Sequence, residues 1–321
     1  MFLNVENASS SSKVFAVGGY CLCNCLLLLA NKIALSHYAI SSVLAFIQII
    51  ASIGIVLLLK YLGKVQVDEF EWGKVKAFSV YTVFFASSIY ANMRAIQVSN
   101  PETVLVFRAC SPLAVAFAEH MLMNRAVPSM TSSLSLVAVA VGAAIYCVSD
   151  SLFHLHDFSA YTWLTLYVVL TTCEIIYGKI LTEPAKTSWT LCGLVLYQNS
   201  LVALPMFIFG YAYGDYVDAR QSFLDMKDQH IGYTAIVLSC VIGTAIGCTS
   251  WASRAVLSAT SFALVDVINK LTAVLMHVLL WGKPSSPTGL AALCFCLLAG
   301  VFYQQDPRRE YGDGNMEKLT K

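Results

Sequence analysis

The chain has 321 residues, 58% hydrophobic and only 12% charged, with a mean hydropathy of +0.68 and a net charge of +1. A water-soluble domain carries about a quarter charged residues, so water is excluded as the main solvent. The near-neutral charge excludes a basic nucleic-acid-binding face.

Apolar runs of about 18 or more residues recur along the whole chain, each long enough to cross roughly 30 Å of hydrocarbon as a helix. Backbone amides in lipid must be satisfied within their own segment, so these runs are read as helices. The expected fold is an all-α membrane protein with ten transmembrane helices, near residues 14–36, 40–62, 75–97, 101–123, 131–149, 159–182, 188–213, 232–255, 258–281 and 287–304. Residues 1–13 form a Ser-rich leading segment with no signal-peptide cleavage pattern. Residues 305–321 form a polar, Gly-containing tail expected to be disordered. The longest polar connection runs from Asp215 to His230. Of the eleven cysteines, Cys21, Cys23, Cys25, Cys240, Cys294 and Cys296 lie inside apolar runs, where they serve as small hydrophobes rather than metal ligands.

An even number of spans places both termini on one side, and the lysine and arginine bias selects it. With the N-terminus cytosolic, that side holds Lys13, Lys60, Lys64, Lys74, Lys76, Arg125, Lys186, Arg254, Arg308, Arg309, Lys318 and Lys321, and the opposite loops hold Arg220, Lys227 and Lys283. Both termini are therefore expected in the cytosol, which leaves the glycosylation pattern Asn7-Ala8-Ser9 unused.

The fourth span ends in His120-Met-Leu-Met-Asn-Arg-Ala-Val-Pro128-Ser129 and the ninth in His277-Val-Leu-Leu-Trp-Gly-Lys-Pro284-Ser285. This similarity divides the chain into two five-helix repeats, 14–149 and 159–304. An odd number of spans per repeat makes them inverted, the plan of many secondary transporters.

Charge inside the bilayer is expensive and persists where it pairs or lines a wet cavity. The candidates are Lys32, Arg94, Arg108, Glu119, Glu174, Lys179, Asp266 and Lys270. Lys32, Glu119 and Lys179 lie near span ends and are expected to snorkel, and Arg94 to reach the far interface. Arg108 and Lys270 lie deep in spans four and nine, so two cations approach one chamber from opposite halves. An arginine fork with a lysine point charge suits a phosphate ester. The alternative for Lys270 is an i,i+4 pair with Asp266. In the seventh span, Tyr197-Gln198-Asn199 offers a stacking face with amide donors and acceptors, suited to reading a nucleobase or to gluing helices together.

Several of these segments resemble the nucleotide-sugar transporters of the drug/metabolite transporter superfamily, in particular the Golgi GDP-fucose and GDP-mannose carriers. The resemblance runs from Asn31-Lys32 to Tyr303-Gln304-Gln305 and rests on Val106-Phe107-Arg108, Gly193-Leu-Val-Leu-Tyr197-x-Asn199, Leu257-Ser258-Ala259-Thr260 and Asn269-Lys270. It implies that Tyr197, Gln198 and Asn199 read the base, and that Asn269 and Lys270 hold the diphosphate-sugar. Two positions depart from the family pattern: Gln198 replaces an Asn, and Asp266 replaces the Gly of Gly-x-x-Asn-Lys. The second adds bulk and negative charge where the family lets the sugar approach the helix backbone. Asp266 then turns toward Lys270 or a sugar hydroxyl, or the sugar differs.

The resemblance implies a GDP-sugar antiporter of the Golgi membrane, exchanging its cargo for GMP by alternating access, with no cofactor and a homodimer left open. The competing readings are a UDP-sugar or sugar-phosphate translocator of the same fold and, more remotely, a multi-span membrane enzyme. For the latter only the loop residues His154, His156 and Asp157 form a cluster, and a solvated loop explains them.

Overall fold

The computed structural model describes residues 10–37, 41–99, 101–123, 125, 128–149, 158–183, 189–212, 216, 229–281 and 287–304. The Asn7-Ala8-Ser9 pattern, the His154–Asp157 cluster, Lys186, residues 217–228 and the tail from 305 lie outside them, as do the side chains of 277–285 on which the repeat similarity partly rests.

The chain folds as α1 (Ser10–His37), α2 (Ser41–Tyr61), α3 (Trp72–Val98), α4 (Pro101–Met123), α5 (Met130–Ser149), α6 (Phe158–Leu181), α7 (Leu191–Ala212), α8 (Gln229–Val256), α9 (Ala259–Trp281) and α10 (Pro287–Val301). It is an all-helical, multi-span membrane protein, and each helix falls on one of the apolar runs. Eight of the described helices are long and apolar enough to cross a membrane. α10 is shorter, at 15 residues. α3 has 27 residues but carries Lys74, Lys76, Ser79, Thr82, Ser87, Ser88, Asn92 and Arg94; Thr82 and Ser88 are buried, and Ser88 and Asn92 line a cavity.

Helix packing follows a definite pattern. α1 packs on α8 and α3 on α6; α2 on α7, α4 on α9 and α5 on α10; α4 on α5 and α9 on α10; α2 on α8 and α3 on α7; α4 on α6 and α1 on α9. Small residues let the backbones approach, as expected between membrane helices: Ala34, Ala91, Ala95 and Ala143 are fully buried.

One end of the bundle, here the near end, gathers the starts of the odd-numbered helices and the ends of the even-numbered ones, and polar ties cross it. Ser253 Oγ donates to Ala16 O at 3.1 Å, and Ser132 Oγ to Gln304 O at 2.9 Å. Two residues expected to snorkel are instead buried ties. Lys179 Nζ donates to the carbonyls of Arg254 (2.9 Å) and Ala255 (3.0 Å) at the end of α8. Glu119 receives the N–H groups of Ala259 (3.1 Å) and Thr260 (3.0 Å) and the Thr260 hydroxyl (2.7 Å), and pairs with Arg125 at 2.8 Å. The first turn of α9 offers Glu119 unpaired donors and a positive dipole end, so the carboxylate is satisfied by protein without reaching water. Arg94, near the end of α3, donates to Gln97 Oε1 at 2.9 Å on an exposed surface.

Candidate functional site: a polar cavity between α1, α3, α4 and α6–α9

Seven helices enclose a cavity of about 440 Å³, within the range of small-molecule sites, ~300–1,000 Å³. Three cations (Arg108, Lys270 and Arg254) and two carboxylates (Asp266 and Glu174) line it. Ionised, they leave one net positive charge, which suits an anionic guest. Among the described residues, no group of three or more His, Cys, Asp or Glu side chains is placed to hold a metal ion.

α4 supplies Arg108. Pro112, one turn on, lacks an N–H and so removes the intrahelical donor of the Arg108 carbonyl, loosening the helix at the cavity wall. The Arg108 Nε–H donates to the Tyr167 hydroxyl of α6, and the guanidinium lies 5.4 Å from the centre of that ring. The aromatic partner holds the fork in place without neutralising it.

α9 brings Phe262, Asp266 and Lys270 to the cavity at i, i+4, i+8 spacing. The Asp266–Lys270 pair does not close to 4 Å; Asp266 Oδ1 instead accepts the Tyr20 hydroxyl of α1 at 3.0 Å. Tyr20 also stacks on Phe262, with ring centres 5.6 Å apart. Asp266 remains within electrostatic reach of Lys270, Arg108 and Arg254. Asn269 does not line the cavity: it is 2% exposed, lies beside Cys21 of α1, and has no hydrogen-bond partner on Nδ2.

α7 divides its polar triplet. Gln198 and Asn199 line the cavity. Gln198 Oε1 accepts the Trp251 indole N–H at 2.6 Å, and Asn199 Nδ2 donates to Ser52 Oγ at 2.9 Å. Tyr197 faces the other way. Its hydroxyl donates to Glu69 O at 2.8 Å and accepts from the Glu71 N–H at 3.1 Å, while its ring packs against Phe78 and Trp189.

The cavity floor toward the near end is a group that the sequence reading did not assemble. Arg254 Nη2 donates to Glu174 Oε1 at 2.7 Å, and Tyr81 donates to the same oxygen at 3.0 Å. Below them Phe78, Trp189, Tyr197 and Trp251, all buried, plug the near end. A signal for Arg254 was present: Gly243, Gly247, Ser250 and Arg254 form an i, i+4, i+7, i+11 stripe of small or polar residues on α8, and all four line the cavity.

No protein-family profile matches the chain. It is 32% identical over 306 residues to GDP-fucose transporter 1 of Arabidopsis thaliana, covering 94% of this chain and 87% of that one. It is 28% identical over 292 residues to GDP-mannose transporter GONST3 of the same plant, covering 89% and 76% of the two chains. It is 21% identical over 312 residues to the GDP-mannose transporter of Yarrowia lipolytica, covering 93% and 95%. One solved crystal structure superposes with a TM-score of 0.68 at 11% identity, covering 91% of this chain and 96% of that one, which extends the likeness to the fold. With identity above 30% sustained along nearly the full length, the chain belongs to the nucleotide-sugar transporter family that includes these GDP-fucose and GDP-mannose transporters.

Proposed function

We propose that this protein carries a GDP-sugar, GDP-fucose or GDP-mannose, into the Golgi lumen in exchange for GMP, by alternating access of two inverted five-helix halves. The observation that carries the reading is the cavity itself, where Arg108 and Lys270, from α4 and α9, meet one chamber that Gln198 and Asn199 also line. In this reading Gln198 and Asn199 read the base, Arg108 and Lys270 hold the phosphates, and Asp266 with Tyr20 meets the sugar. Tyr197 and Asn269 act from behind the wall, one anchoring α7 and the other seating α9 against α1. The relatives' names support the cargo, each being a GDP-fucose or GDP-mannose transporter.

The packing pattern supports the halves. Adding five to each helix number turns α1–α8 into α6–α3, α2–α8 into α7–α3, and α4–α6 into α9–α1, each an observed pair, while α2–α7, α4–α9 and α5–α10 map onto themselves. The lysine and arginine bias supports a cytosolic near end with both termini on that side. Exchange follows from charge: Arg108 and Lys270 oppose closure of an empty cavity, and a bound phosphate neutralises them.

The test is uptake of labelled GDP-mannose and GDP-fucose into proteoliposomes holding GMP, UMP or no nucleotide. GMP loading is expected to stimulate uptake strongly. Equal uptake into empty and GMP-loaded vesicles would refute obligatory exchange, and no uptake of either sugar would refute the cargo.

A further inference from the structure

Arg254 is 8% exposed, lines the cavity at its floor, and sits on α8 two residues before the helix ends. Four helices converge on it. Phe262 of α9 lies 4.2 Å below the guanidinium carbon by ring centre, with Trp251 of α8 at 5.4 Å and Tyr81 of α3 at 5.8 Å. On α6, Glu174 takes one N–H and Gly178, one turn later, leaves room for the guanidinium; a methyl group at Gly178 would collide with Nη1. The grip of Glu174 is a single hydrogen bond from Nη2, not the two parallel bonds that an Arg–carboxylate pair can form, and Nη1 is buried without a hydrogen-bond acceptor. A guanidinium held by one bond, with a donor nitrogen unused, keeps capacity for a second anion.

We propose that Arg254 is a third phosphate-binding cation, which Glu174 retains in the empty cavity and releases to a phosphate ester, so that cargo binding itself unlocks the near end. The inference rests on the reading of the cavity as the site of a nucleotide-linked anion. Arg254 and Glu174 join α8 to α6, and Lys179 reinforces that joint on the carbonyls of Arg254 and Ala255. The aromatic plug rests on the same group, since Trp251 packs on the guanidinium and Tyr81 packs on Phe78 and Trp251. A phosphate presents several charged oxygens in place of the one that Glu174 offers. Once the guanidinium turns to the phosphate, the side-chain tie between α6 and α8 is released and the Lys179 bonds are left to hold that joint alone. An empty cavity leaves this latch shut, and this provides a local device for coupling opening to occupancy.

The test separates phosphate from base. Binding of guanosine and of GMP is measured on the purified full chain in nanodiscs, with hydrogen exchange followed over residues 174–181 and 251–256. In the wild type, GMP should bind at least about tenfold more tightly than guanosine and should raise exchange in both segments, which guanosine should not. Arg254→Gln should reduce GMP affinity about tenfold and leave guanosine affinity within about twofold. Glu174→Gln should tighten GMP several-fold and raise exchange without ligand. If the single Arg254 variant does not fold, because Glu174 is left unpaired, the Arg254→Gln/Glu174→Gln pair removes both charges and should show the same loss of phosphate selectivity. Equal losses of GMP and guanosine affinity would make Arg254 purely structural, and unchanged exchange on GMP binding would overturn the latch. A wild type that binds neither ligand would sink the carrier reading and this inference with it, whereas full GMP affinity in Arg254→Gln sinks this inference alone.

Discussion

The Trp251 indole donates its N–H to Gln198 Oε1 at 2.6 Å, which fixes which end of the amide is engaged and leaves the NH₂ group to donate. A fixed NH₂ group, with two hydrogens, suits adjacent acceptors such as guanine O6 and N7, where uracil offers O4 alone on the corresponding edge. Trp251→Phe frees the amide to rotate. It should narrow the preference for GMP over UMP, measured as competition against labelled GDP-mannose uptake, by about three- to tenfold. Gln198→Asn, one methylene shorter, should lose the Trp251 bond and weaken GMP competition by a similar factor.

Lys270 makes no hydrogen bond or ion pair within the described structure, although it shares the cavity with Arg108 and Asp266. A cation without ties contributes little to folding and much to an anionic guest. Lys270→Ala should therefore abolish uptake, by about a hundredfold or more, while size-exclusion profile and thermal unfolding stay near wild type. Retained uptake would move the phosphate site elsewhere.

The helices and the two mid-membrane cations were legible in the sequence because hydropathy and the cost of buried charge are local properties. The orientation of each side chain was not. Tyr197 and Asn199 are two residues apart, and about 100° of rotation per residue sends them to different faces of α7; the sequence does not say which face meets the cavity. Asn269 adjoins Lys270 yet packs beside Cys21 for the same reason. Arg254 looked like an interfacial cation because it stands at the end of an apolar run, and only the fold brings Glu174 of α6 to within 2.7 Å of it. Glu119 and Lys179 looked free to reach water because their partners, the start of α9 and the end of α8, lie far along the chain.

Asp266, at the position where the resemblance leads to an expected glycine, is tied to Tyr20. That bond holds the carboxylate away from Lys270, one turn along the same helix. Tyr20→Phe removes the hydroxyl and lets Asp266 pair with Lys270, so GMP affinity should fall several-fold through competition for the ammonium. Adding Asp266→Asn to Tyr20→Phe removes the competitor and should restore affinity to the wild-type level or better. Two losses that simply add would show that Asp266 and Lys270 do not compete, a distinction that the double-mutant cycle reads directly.

The segment between α2 and α3 is fastened to the start of α7 by Asp68, whose side chain is 7% exposed. Its Oδ2 accepts the Thr190 N–H at 2.9 Å and the Thr190 hydroxyl at 2.8 Å, while Oδ1 pairs with Lys74 at 3.3 Å. The carboxylate can come so close only because residue 193 is glycine: a methyl group there would overlap Asp68 Oδ2. Gly193→Ala should expel Asp68 from its place, leave the Thr190 donors unsatisfied, and cost about 1–3 kcal/mol, seen as a lower unfolding temperature in detergent. Asp68→Asn keeps an acceptor for Thr190 but gives up the charge that Lys74 needs, and should cost about half as much. Because Tyr197 holds Glu69 and Glu71 of the same segment, Tyr197→Phe should add its own loss of about 1 kcal/mol. Tyr197→Leu, which removes the ring as well, should leave the GMP-over-UMP preference intact, since the Tyr197 ring lies behind the cavity wall. A lost preference would place that ring against the base and reverse the division of labour along α7.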